Sequence, residues 1–126
     1  KKIKIRIDCW DTWSMDHTLA PIILPMLQQL KKEKHGAPWV AVTDVPRELR
    51  PSKKEVLEYS KNGNTDPKHF ERWDWVLDEM IYAFDCKANK DDVYMRFENK
   101  KEMDAEQERI SNGFRLFGKY YENLWD

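Results

Sequence analysis

Residues 67–86, PKHFERWDWVLDEMIYAFDC, constrain the fold more than any other stretch, because they gather the densest apolar and aromatic run of helix length in the chain. At a helical advance of roughly 100° per residue, Phe70, Trp73, Leu77, Met80, Ile81 and Phe84 share one face, and Trp75, Val76 and Tyr82 widen it on both flanks. A helix so broadly apolar has to be covered on more than one side. The spacing therefore predicts a central helix over 67–86 with other helices packed around it. Asp66 and Pro67 supply its expected N-cap and first helical residue.

Two further helices are expected to do the covering. Leu19, Ile22, Ile23, Met26, Leu27 and Leu30 recur at helical spacing and stop at Gly36, with Lys31, Lys32 and Lys34 in the last turn, where the helix dipole favours cations. This predicts a first helix over about 15–35. Pro21 and Pro25 fall inside it, and each removes a backbone donor, so the helix either starts near Pro21 or kinks there. At the other end Met103, Ile110, Phe114, Phe117, Tyr121 and Leu124 form a stripe over 100–124, opened by Asn99 and Glu102 as a capping box. Gly113 lies at the edge of that stripe, where close approach of another helix is expected. Ser52 and Glu55 form a second capping box, predicting a short helix that ends at the NGN of 62–64.

Residues 2–8, KIKIRID, alternate charged and apolar, placing Ile3, Ile5 and Ile7 on one face of a strand. A strand needs a partner for its backbone groups, and DDVYMRFEN, with Val93, Met95 and Phe97 alternating, is the best candidate. The expected fold class is thus α+β and predominantly α: three main helices packed together with a small two-stranded sheet from 2–8 and 92–98. The basic strand is expected to lie near the acidic central helix, which carries Glu71, Asp74, Asp78, Glu79 and Asp85.

A chain of 126 residues with 40% hydrophobic and 13% aromatic content suits one domain, 1–126, and is short for two. Its net charge of −1 gives no strong signal for nucleic acid or anionic membrane. No run approaches the ~20 apolar residues of a membrane span, and no signal-peptide pattern opens the sequence, so a soluble protein with no membrane partner is expected. Cys9 and Cys86 lack the spacing of a zinc site or a disulfide framework and point to a reducing compartment. The chain begins without Met and with a strand pattern at its edge, as expected of a piece trimmed from a longer protein.

No phosphate-binding glycine loop, G-x-S-x-G or H-E-x-x-H occurs. Two functional readings remain. In the first, the chain is a non-enzymatic protein-interaction module that binds an unidentified protein partner or itself, with Trp75 and Tyr82, which point away from the main face of the central helix, as partner-binding residues. The competing structural reading has these aromatics in the core. In the second, Asp74, Asp78 and Glu106 hold Mg²⁺ or Mn²⁺, and His17 or Asp16 assists a water, in a metal-dependent hydrolase acting on nucleotides or nucleic-acid ends. Hard divalent cations take carboxylate oxygens and activate water for attack on phosphorus. The structural reading here is that the acids pair with Arg6, Arg72, Arg109 or Arg115 or face water.

The strings WDTWSMDHTLAPIILPML, KHGAP, HFERWDWVLDEMIYAF and RISNGFRLFGKYYENLWD resemble those of a family of uncharacterised proteins encoded by tailed bacteriophages and found in marine viral sequence. The resemblance covers most of the chain. Family members carry a further segment before the basic strand and a longer stretch before the last helix, and residues 51–65 depart from the family pattern. The resemblance implies a phage origin and a setting in the host cytoplasm or the virion. It implies no activity for any residue.

Overall fold

The computed structural model describes residues 1–126 as an all-helical chain without a strand. Three long helices dominate: α1 (Met15–Glu33), α3 (His69–Asn89) and α5 (Lys100–Lys119), with the shorter α2 (Lys53–Asn62) and α4 (Val93–Arg96) between them. The central position of α3 follows from its sequence. Trp73, Val76, Leu77, Met80 and Phe84 are buried, and α1 and α5 pack on either side of the helix that carries them. Both neighbours run antiparallel to it. Lys31 meets Asp78 at 2.7 Å, Lys34 meets Asp74 at 2.5 Å, and Lys87 meets Asp16 at 3.0 Å at the other end of the α1–α3 pair.

The buried face of α3 is rotated from the expected one. Val76 and Ala83 sit at its centre, Ile81 is half-buried, and Phe70 is exposed in the first turn. Two covering helices turn the flank at Val76 into an interior position. Leu77 and Leu27 are buried in the main cluster, with Ile23, Ile81 and Phe117 half-buried against it. Ile110 belongs to a second, smaller cluster with Ala83 and Cys86.

The expected two-stranded sheet does not form, and the fold class is all-α rather than α+β. Residues 2–8 have no regular structure, and Ile3, Ile5 and Ile7 stand between 73% and 76% exposed. Residues 92–98 use their backbone donors in local turns, Met95 N–H to Asp92 O at 2.9 Å and Phe97 N–H to Val93 O at 3.1 Å. Arg96 reaches back to Asp91 O at 2.9 Å and across to Glu106 at 2.9 Å, which ties α4 to α5. No sheet edge is left for the N-terminal segment, and period-2 alternation fixes a strand only where a partner supplies one. Of the α3 acids, Asp78 and Asp74 pair with Lys31 and Lys34 at the end of α1 and Glu79 with Arg109 of α5, while Lys1, Lys2, Lys4 and Arg6 face water.

Helix α1 runs through both prolines without a break. The carbonyls of His17 and Pro21, which lose their intrahelical donors, belong to exposed residues that water can reach. The α2 capping box is complete: Glu55 N–H donates to Ser52 Oγ at 3.1 Å, and Ser52 N–H donates to the Glu55 carboxylate at 3.1 Å. At α5 only half of the expected box is present, with Asn99 Oδ1 accepting from Lys101 N–H at 2.8 Å. Helix α3 starts two residues later than its Asp66-Pro67 signal. Asp66 Oδ2 accepts the Lys68 N–H at 3.2 Å just before the helix, and the same carboxylate is the buried partner of Arg72, accepting its Nη1 at 2.9 Å.

Residues 34–52 cross the end of the bundle in two short 3-10 turns, Val42–Asp44 and Arg47–Leu49, pinned by Val40 and Val45 in the core. Asp44 secures this segment to α5, accepting from Arg115 at 2.9 Å and from Lys119 and Tyr120 at 2.6 Å each. Burial works to raise the Asp44 carboxyl, but those three donors together hold it below the ordinary value.

Candidate functional site

From Leu19 to Leu27 the chain reads LAPIILPML, nine residues without one polar side chain. On a helix this yields two apolar stripes. Ala20, Leu24 and Leu27, at i, i+4 and i+7, are buried against the core. Met15, Leu19, Ile22 and Met26, at i, i+4, i+7 and i+11, look outward, with Ile22 56% and Met26 67% exposed. Water on such a stripe is costly: each large apolar side chain left exposed forgoes about 1.5–3 kcal/mol of burial.

Leu19 and Met26 of the outward stripe line one wall of a groove. After α5, Tyr121–Asn123 makes a 3-10 turn, and the last residues reach the C-terminal end of α1, where the His35 ring nitrogen Nδ1 meets an Asp126 carboxylate oxygen at 2.6 Å. Between this segment and α1 lies a groove of about 820 Å³, floored by Ile23, Leu27 and Phe117 and walled by Met26, Tyr121 and Leu124. Its rim carries Glu33 and Asp126. Lys34 also lines it, but its ammonium is spent on Asp74 and on the Lys31 carbonyl, 3.0 Å away. Glu33 accepts only from Gln29, at 3.2 Å. The groove is thus apolar inside and acidic at its edge, and Trp125 adds a further exposed aromatic beside it.

The residues singled out from the sequence lie elsewhere. Trp75 is half-buried and packs against the main core cluster. Tyr82 is half-buried, its hydroxyl donates to Glu106, and its ring lies between Arg109 at 3.6 Å and Lys90 at 5.0 Å. The hydrogen bond to Glu106, helped by burial, pushes the Tyr82 phenol up to about 12, so it stays protonated at neutral pH. For Glu106 burial acts to raise the carboxyl, and Tyr82 and Arg96 outweigh it, leaving the pKa below the ordinary value. Both oxygens of Glu106 are engaged.

The four candidate metal ligands are not brought together. Asp74 and Asp78 face the lysines at the C-terminal end of α1, whereas Glu106 faces Tyr82 and Arg96 on the α4–α5 side. His17 lies near the other end of α1, its Nδ1 3.2 Å from the Lys87 carbonyl. No three His, Cys, Asp or Glu side chains anywhere in the chain converge as a metal would require. His17 does border a second cavity, about 330 Å³, with Cys86, Lys87, Lys90 and Arg96, but Lys87 is paired with Asp16 and Arg96 with Glu106.

Comparison with family models, with curated proteins and with solved structures finds no match to this chain. No helix is long and apolar enough to cross a membrane. The groove residues Leu19 and Met26 escape a search for one buried stripe, because helical spacing alone puts them on the same footing as Leu27. The signal that finds them is the absence of any polar side chain from Leu19 to Leu27, which no single buried face can absorb.

Proposed function

We propose that this chain is a protein-interaction module that works through the groove between α1 and the C-terminal segment. One observation carries the reading: α1 keeps a second apolar stripe, Met15, Leu19, Ile22 and Met26, in water beside an open apolar groove. Contiguous exposed apolar surface of this kind marks interaction sites on proteins. Trp75 and Tyr82 are less suited to the role, since the first packs on the core and the second is held by Glu106, Arg109 and Lys90. The resemblance to phage-encoded proteins supports an accessory role in the host cytoplasm or the virion.

A photo-crosslinking amino acid placed at Met26, with the same residue at Glu108 on the exposed side of α5 as control, tests this in bacterial cells expressing the chain. The reading expects one adduct of defined mass from Met26 and none from Glu108. Equal labelling at both positions, or none at either, contradicts it.

A further inference from the structure

The chain carries a second unfilled surface whose chemistry is the complement of the groove. In residues 1–7 Ile3, Ile5 and Ile7 alternate with Lys2, Lys4 and Arg6, all exposed, and none of these basic side chains makes an ion pair. The turn that follows fixes where this segment departs: Asp8 N–H donates to Asp11 Oδ2 at 2.9 Å and Trp10 N–H to Asp8 Oδ1 at 2.9 Å. Apolar side chains of one segment face water while an apolar groove stands empty on the same molecule. The segment is basic, and the rim carboxylate of Glu33 accepts only from Gln29, whereas both oxygens of Asp126 are held by the His35 backbone N–H and ring.

The lengths agree as well. Ile3 to Ile7 spans four extended steps, about 13 Å at ~3.3 Å each. The groove wall from Leu19 to Leu30 spans eleven helical steps, about 16 Å at 1.5 Å each. The three isoleucines fit along it, with Lys4 and Arg6 directed to the rim. Resting on the interaction reading above, we propose that the groove receives residues 1–7 of a second copy of this chain, held by isoleucine burial and by lysine and arginine against Glu33. Reciprocal exchange between two copies closes a two-fold dimer, and head-to-tail exchange extends.

Sedimentation velocity of the full chain over a wide concentration range tests this, with Ile5→Ser in the segment and Met26→Asp in the groove. Both sites are exposed, so unchanged circular dichroism and melting temperature establish that each variant is folded. Wild type is expected to associate with rising concentration, and less at high salt, where the charge contribution is screened. Each variant alone should need on the order of a hundredfold more protein or beyond to associate, as loss of two buried aliphatic side chains per two-fold dimer implies. Mixed together, the two variants keep one undamaged exchange, of the Met26→Asp chain's segment into the Ile5→Ser chain's groove, and should associate at least as readily as either variant alone. Wild type that stays monomeric throughout, or association that Ile5→Ser leaves unchanged, overturns the proposal. A monomeric wild type that still gives a single foreign adduct at Met26 defeats self-docking and leaves the interaction module standing.

Discussion

The α3–α5 contact and the outer side of α1 are both built from large apolar residues on long helices, yet one is closed and the other open. Between α3 and α5, Phe84 meets Phe114 and Phe117 edge-on at 5.0 and 4.9 Å, and Arg109 holds Glu79 at 2.8 and 3.1 Å at the border. Gly113 lets the helices approach so closely that a Cβ there would lie 2.5 Å from both Ala83 Cβ and the Glu79 carbonyl oxygen. On α1, Ile22 and Met26 have comparable apolar area and nothing over them. Local propensity is similar in the two regions. What separates them is a partner, and the difference shows that an apolar helix face is completed only by what packs on it.

Breaking the closed region should be costly and breaking the open one nearly free. The largest effect is expected at Asp66→Ala, which leaves the buried Arg72 guanidinium without its carboxylate and should cost about 3–5 kcal/mol in urea unfolding. Leu77→Ala should cost ~2–5 kcal/mol through the cavity left beside Trp73 and Met80, whereas Met26→Ala should stay within about 0.5 kcal/mol. Equal losses at Leu77 and Met26 would erase the contrast between the regions. Gly113→Ala should lose about 1–3 kcal/mol, because the atoms in its way include the α3 backbone, and this outweighs the gain of ~1 kcal/mol in helix propensity.

Acid sharpens the same contrast. The Arg72 guanidinium beside Asp66 holds its carboxyl below the ordinary 3.8, outweighing burial, and Asp44 is held low by Lys119, Tyr120 and Arg115 against its burial. A carboxyl depressed in the folded state adds stability that is complete above its unfolded pKa and is lost as pH falls through the lower native value. Melting temperature should therefore hold above the ordinary aspartate range and drop as pH descends below about 3.8. Asp66→Asn should flatten part of that drop while lowering stability at neutral pH.

Much of the architecture was legible in the sequence, for reasons that differ by element. Helix α2 announced itself because Ser52 and Glu55 act within one turn, needing no tertiary partner. Gly113 was legible as a close-approach site because a glycine on the edge of an apolar stripe has few other uses. Ile3, Ile5 and Ile7 misled because alternation describes one strand and is silent about whether a second exists. The role of Asp66 was hidden too, since a residue spaced like a helix cap serves mainly to neutralise Arg72 six positions on. The groove was the least legible part. A helix apolar on every side, Leu19 to Leu27, does not declare which stripe the rest of the chain will cover.

Methionine oxidation by dilute peroxide, followed by mass spectrometry as protein concentration rises, reads both regions in one experiment. Met80 is fully buried between the long helices, Met26 is 67% exposed at the groove, and Met95, 66% exposed on α4 away from it, is the control. The open-face account predicts that Met80 resists throughout, that Met95 reacts at one rate, and that Met26 reacts as fast as Met95 in dilute solution and slows selectively on concentration. Met80 oxidising alongside them, or Met26 resisting in dilute solution, would contradict it, and Met26 and Met95 keeping equal rates at every concentration would contradict the self-docking built on it.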